Sequence, residues 1–159
     1  GGSPEARARF VIEVATAVAD AIGGSRVGIR ISPAGTFNDI SETETAATYA
    51  VLLDGLAPLG LLYLHVIEGP DTDFHVALRK QWQGPFILNT GFTGPSDLAT
   101  AQRIVDSGEA DLFCFGRAFI ANPDLVERFK TGAELNEPDS DTFYAGGAKG
   151  YIDYPALAA

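Results

Sequence analysis

The sequence has one cysteine and two histidines in 159 residues. A single cysteine excludes an intrachain disulfide framework and any zinc or iron–sulfur centre built on thiolates. Two histidines with no HxxxH spacing give a metal site little support. Basic residues are also scarce, 11 Lys and Arg against 21 Asp and Glu, for a net charge of −10. With no basic stripe to displace counterions from a phosphate backbone, nucleic acid is not an expected partner. No apolar run reaches the ~18 residues of a membrane span. The opening GGSPEARARF has no hydrophobic signal core. A soluble, cytoplasmic α/β protein with no membrane partner is expected. A strand-linked GxGxxG, a GxSxG elbow and a hairpin turn are also missing, which disfavours a Rossmann site and Ser-His-Asp hydrolysis.

What is present suffices for one core: 46% of residues are hydrophobic and 10% aromatic, in a length of about one domain. Ser3, Pro4 and Glu5 are an N-cap, a first-turn proline and a dipole-matched acid. Phe10, Val11, Val14, Val18 and Ile22 follow at helical spacing, closed by Gly23 and Gly24. Residues 26–32 (RVGIRIS), stopped by Pro33, read as a buried strand, with a Gly- and Asn-containing loop to Ser41 and a helix over 42–56. Residues 61–67 (LLYLHVI) are nearly all apolar, as in a strand covered on both faces. A helix over 73–82, a strand at 85–90 (PFILNT), a helix from near Pro95 to Gly108, a strand at 110–115 (ADLFCF) and a helix at 123–130 complete the pattern. Residues 131–159 read as an irregular, aromatic-tipped tail. Four βα repeats imply a parallel sheet with right-handed crossovers. Either an open doubly wound sheet or part of a (β/α)8 TIM barrel can use it. A whole barrel takes ~250 residues, so on that reading the chain supplies about half.

Barrel chemistry sits at the C-terminal ends of strands. Those ends here carry Arg30, Ser32, Phe37 and Asn38; then His65, Glu68 and Gly69; then NTGFTG; then CFGRAF. The last two place Gly91 and Gly94, and Gly116 before Arg117, where a strand hands over to a helix. Glycine admits close approach of an anion, a helix N-terminus offers free N–H groups, and Arg117 adds a bidentate charge. Tight turns with a surface ion pair at Arg117 account for the same residues, and both readings stand. Arg30, between Ile29 and Ile31, reads as a buried guanidinium that either pairs with a carboxylate or faces an anionic ligand. His65 reads as a hydrogen-bonded core histidine, His75 as a loop or helix-surface residue, and Cys114 as a small buried hydrophobe.

Across GGSPEARARF, VGIRISP, FILNTGFT, FGRAFIANPDLVERF, LNEPD and FYAGGAKGYIDYP the chain resembles the C-terminal half of the Old Yellow Enzyme family of flavin-dependent ene reductases, most closely the bacterial branch of glycerol trinitrate, N-ethylmaleimide and xenobiotic reductases. It departs from the family pattern at Ala6, where Asn is usual. The resemblance implies an FMN-binding (β/α)8 barrel, this chain giving about its last four βα units as a single-domain fragment whose tail, residues 131–159, covers the flavin site. It implies that Arg30 lies at the flavin pyrimidine edge, that Thr90, Gly91 and Phe92 form a first phosphate loop, and that Cys114, Phe115, Gly116 and Arg117 form a second. Phe143 matches an aromatic against the flavin ring. Tyr144, with Phe37 and the loop at Asp73 and Phe74 more loosely, matches the substrate pocket. FMN with NADPH or NADH as donor would reduce activated alkenes, and also nitrate esters or nitro compounds. The family's carbonyl-polarising pair and proton-donating tyrosine lie in the other half, so no catalytic residue is expected here and the partner expected is an N-terminal half-barrel. The competing readings are a non-catalytic half-barrel that self-associates and binds flavin or phosphate, and an open α/β domain using NTGFTG for another anion.

Overall fold

The computed structural model describes residues 1–69, 74–91, 96–144 and 146–157. Two compact units divide the chain, Gly1–Cys114 and Phe115–Ala159.

The first unit opens with α1 (Pro4–Ile22), whose N-cap Ser3 accepts the amide of Ala6. Then follow β1 (Gly28–Ile31), α2 (Thr45–Leu56), β2 (Tyr63–Ile67), α3 (Phe74–Gln81), β3 (Phe86–Asn89), α4 (Leu98–Asp106) and β4 (Leu112–Phe113). The strands form one parallel sheet in the order β1-β2-β3-β4. The α/β fold and its four βα units are therefore as the periodicity implies, with α1 at its expected bounds and the other elements of this unit two to five residues shorter than their sequence patterns. Helix α2 starts at Thr45 and not at residue 42, because Glu44 stands in the left-handed region at φ 55°; the Glu42 carboxylate, outside the helix, accepts the Ala34 amide and the Tyr49 hydroxyl. Burial first, and then the Glu42 charge, push the Tyr49 phenol above its ordinary pKa.

Register and side-chain alternation divide the sheet into two unlike faces. Ile31, Leu64, Val66, Phe86 and Leu88 are buried on one, in a core shared with Ala15 of α1, Leu53 and Leu56 of α2, Leu78 of α3 and Ile104 of α4. The other carries Gly28 and Arg30 on β1, Tyr63, His65 and Ile67 on β2, Ile87 and Asn89 on β3, and Leu112 on β4, none of them in that core. This corrects the expectation for residues 61–67: β2 alternates between buried and half-buried positions, so one face alone is packed. Gly28 is held to glycine by its neighbour in register, since a Cβ there would lie 2.2 Å from the Tyr63 ring.

Helix α1 departs from its own apolar stripe. Its buried residues are Ala8, Ala15 and Ala19, whereas Phe10 is 73% exposed, and Val14, Val18 and Ile22 are exposed with it. The small residues allow α1 to lie close against α2, which leaves the large ones pointing away.

The second unit contains α5 (Arg117–Ala121), absent from the sequence reading, and α6 (Leu125–Thr131), followed by an irregular tail with one 3-10 turn at Ser140–Thr142. Among the described residues no helix is long and apolar enough to cross a membrane.

Candidate functional site

In the first unit the side chains with chemistry gather on the open sheet face and at the C-terminal strand ends. Arg30 is exposed, which overturns its reading as a buried guanidinium: β1 is the edge strand, and Arg30 alternates onto the uncovered face. Its partner in register is His65. The imidazole is held below its ordinary pKa, first by burial and then by the Arg30 charge, so the pair presents one cation and one neutral ring. His65 Nε2 is buried and has no hydrogen-bond partner among the described residues, contrary to a satisfied core histidine.

One row nearer the strand ends, Asn89 makes an arrangement that the sequence reading missed. Its backbone oxygen accepts the Glu68 amide at 2.8 Å, its Nδ2 donates to the Cys114 carbonyl at 2.6 Å, and its Oδ1 accepts the Gly91 amide at 3.0 Å. Gly91 has φ +60°, and a Cβ there would stand 2.9 Å from both the Glu68 oxygen and Ile67 Cγ2. Thr90 is 3% exposed. Phe92, Gly94 and Asp73 lie outside the described residues. Helix α4 starts at Leu98, where Asp97 caps it by accepting the Thr100 amide, a carboxylate occupying the place an anion would take. Cys114 follows β4 and is half-buried, its amide donating to the Leu88 carbonyl at 2.8 Å.

Helix α3 buries His75, correcting the surface assignment. His75, Leu78 and Trp82 stand at i, i+3 and i+7, a helical stripe legible in the sequence, and all three are buried. The ring lies between two carboxylates, with Nδ1 3.1 Å from Glu68 and Nε2 3.4 Å from Glu109. Burial raises the Glu68 carboxyl above the usual range, against the pull of His75. Burial also opposes the charge on Glu109, but hydrogen bonds from Ser107 and Arg103 prevail and lower it. Phe74 meets the Tyr49 ring edge-on at 6.1 Å and, with Glu68 and His75, lines a cavity of about 170 Å³. Phe37 is 60% exposed in a 3-10 turn.

In the second unit Gly116 is the N-cap of α5, its carbonyl accepting the Phe119 and Ile120 amides, and there is open space where a Cβ would be. Arg117 is the first helical residue and is exposed; the Phe115 and Phe129 rings pack at 5.0 Å, tilted by 55°. The tail is held by buried Arg128, which donates to the Asp124 carboxylate at 2.7 Å and to the carbonyls of Glu134 and Pro155. Buried Asn122 and half-buried Asn136 cross-link the same segment. Phe143 is half-buried, with Tyr144, 85% exposed, packed edge-on against it at 6.5 Å.

Comparison with known proteins fits this arrangement. Residues 1–136 match the model of the NADH:flavin oxidoreductase / NADH oxidase family. The chain is 43% identical to the Leishmania infantum protein named "Probable flavin mononucleotide-dependent alkene reductase", over 99% of this chain and 43% of that one. It is 40% identical to 12-oxophytodienoate reductase 1 of Oryza sativa subsp. japonica, over 99% of this chain and 43% of that one. Among solved structures it superposes on morphinone reductase in complex with tetrahydroNAD (TM-score 0.88, 44% identity, 99% of this chain and 43% of that chain). It also superposes on the old yellow enzyme from Trypanosoma cruzi (TM-score 0.89, 34% identity, 98% of this chain and 42% of that chain). The chain spans about half the length of the relatives it matches.

Proposed function

We propose that this chain, which belongs to the NADH:flavin oxidoreductase / NADH oxidase family, supplies the later βα units of an FMN-dependent ene reductase barrel and forms the active enzyme with an N-terminal half. The observation that carries the proposal is the one-sided sheet: four parallel strands have their uncovered face lined by a cation, a neutral imidazole and an amide. Two features support the partner. The edge of β1 and the Phe10, Val14, Val18 and Ile22 stripe of α1 present backbone and apolar surface that a preceding βα unit would cover.

The residues present suit a planar, anionic, phosphate-bearing group. The orphaned His65 Nε2 lies on the same face as Arg30, and Gly116 leaves open space at the start of α5. When bound, FMN supplies hydride chemistry between a nicotinamide and an electron-poor alkene, and the nitrate-ester or nitro reductions of the same family branch. This chain's own residues bind and orient. Arg30 provides a fixed positive charge that favours an electron-rich ring system. Thr90, Gly91, Phe92, Cys114, Phe115, Gly116 and Arg117 are assigned to the phosphate end, Phe143 to the ring, and Tyr144, Phe37 and Phe74 to the substrate side. Carbonyl polarisation and proton delivery fall to the other half. NADPH and NADH are both candidate donors.

Co-expression of the chain with the segment of a relative that precedes the matched region tests this reading. A yellow complex that oxidises NADPH or NADH in the presence of cyclohexenone is expected. A colourless complex, or a homodimer of this chain binding flavin without turnover, would replace it with the non-catalytic module.

A further inference from the structure

A cavity of about 400 Å³ lies between the first turns of α1 and those of α2. It is lined by apolar Ala8, Val11 and Leu52 and by polar Arg7 and Thr48. Ala8 and Leu52 belong to the core on the packed side of the sheet, and neither Arg30 nor His65 lines the cavity, so it is separate from the open face. The Thr48 hydroxyl is buried and has no hydrogen-bond partner among the described residues. A threonine inside a helix can settle its hydroxyl on the carbonyl four residues back. Here that carbonyl, of Glu44, accepts the Thr48 amide and the hydroxyl is left orphaned. An orphaned buried hydroxyl is destabilising, and the room beside this one admits a partner. Arg7 fixes one side by donating to the Thr43 carbonyl and, at 3.1 Å, to Glu44 Oε2. Arg7, Phe10 and Val14 stand at i, i+3 and i+7, which puts the cavity at the head of the exposed apolar stripe of α1. Gly1 lines the same cavity, and nothing stands within 4 Å of the place a Cβ would take on it.

We propose that this cavity seats the segment of the N-terminal half that leads into Gly1 in a complete barrel, a contact between the halves beyond the β1 edge and the α1 stripe, and an assignment that rests on the half-barrel reading above. This chain covers 43% of the length of its relatives. On that reading the rest of a relative reaches the position of Gly1, beside the cavity. The volume lies in the range of small-ligand pockets, but a segment tied to Gly1 is held there at high effective concentration, an advantage no diffusing molecule has. The lining asks for apolar surface against Ala8, Val11 and Leu52 and for one hydrogen-bonding group at Thr48, and an entering stretch of chain has both, the second in its own backbone.

The test co-expresses the chain with a complementing half that ends directly before the matched region of a relative, and with the same half ending about ten residues earlier, some 30 Å of extended chain. Dissociation on dilution is followed by native mass spectrometry. The long half is expected to bind about tenfold more tightly than the short one. Val11→Phe, which fills the cavity, is expected to weaken the long-half complex about tenfold and to leave the short-half complex unchanged. Thr48→Val removes the orphaned hydroxyl, so the chain alone should melt no lower than wild type, while the long-half complex is weakened and the short-half complex is not. General damage to the fold would weaken both complexes alike, and that result in either variant would overturn the assignment. Equal affinity of the long and short halves would overturn it and leave the half-barrel reading intact. A small molecule, or a second copy of this chain, bound to the wild type and lost in Val11→Phe would give the cavity another occupant and overturn it as well. No complex with either half would overturn the half-barrel reading itself, and this assignment with it.

Discussion

Arg128→Met tests how the tail bearing Phe143 and Tyr144 is held. Methionine keeps the apolar stem and removes the guanidinium, which is 5% exposed and has three acceptors. The Pro155 carbonyl keeps a second donor, Asn136 Nδ2 at 2.8 Å, so losing Arg128 there costs about 1 kcal/mol. The Glu134 carbonyl loses a charge-assisted bond, about 2 kcal/mol. The two carbonyls together, about 3 kcal/mol before the lost Asp124 ion pair is added, correspond to at least roughly a hundredfold change in an opening equilibrium. Amide exchange at Asn136 and Leu157 reads that equilibrium directly, because both amides donate to side chains of the Asn122–Asp124 corner. Exchange at least about a hundredfold faster at both, with β2 and β3 amides unchanged, is expected. Acceleration under threefold would refute the view that Arg128 is the tether.

Gly91→Ala combines a left-handed backbone, about 1–2 kcal/mol for a residue with a Cβ, with contacts of 2.9 Å to Glu68 and Ile67; a melting temperature lowered by about 10 °C is expected, and a shift below 2 °C would contradict the crowding. Arg30→Met removes the second cause of the lowered His65 pKa, so the imidazole should titrate at higher pH in a proton NMR titration, and an unmoved curve would mean that the two side chains do not interact. His65 in wild type binds its proton less readily folded than unfolded, so its contribution to stability is present above the unfolded pKa of about 6.5 and declines as pH falls through that value. Asp124 is held below the ordinary carboxylate range, first by the Leu157 amide and then by Arg128. The stabilisation it brings is present above about pH 4 and lost as pH falls through its lowered value, so the protection of the tail amides, taken relative to the intrinsic exchange rate at each pH, should fall in acid and be constant from pH 5 to 8. Arg117→Ala should weaken FMN ten- to a hundredfold in the reconstituted complex, the loss of one charged contact of about 1.5–3 kcal/mol.

The alternation of period-2 and helical segments was enough to read four βα units, because a parallel sheet leaves no other use for strands separated by helices. Burial was less legible. Arg30 and the 61–67 run carry no mark of which sheet face is packed, and an apolar run reads alike whether its second face meets helices or a partner. The α1 stripe misled for the same reason: Phe10 and Val14 have the spacing of a core face, yet the alanines face the core. His75 could have been placed by its spacing to Leu78 and Trp82. Asn89 could not, since its role depends on the Cys114 carbonyl, 25 residues away and brought near only by the pairing of β3 with β4.

Native mass spectrometry of the chain co-expressed with its complementing half tests the central claim most directly. The account predicts a heteromeric complex carrying one FMN. A bare chain, or a homodimer without flavin, would contradict it.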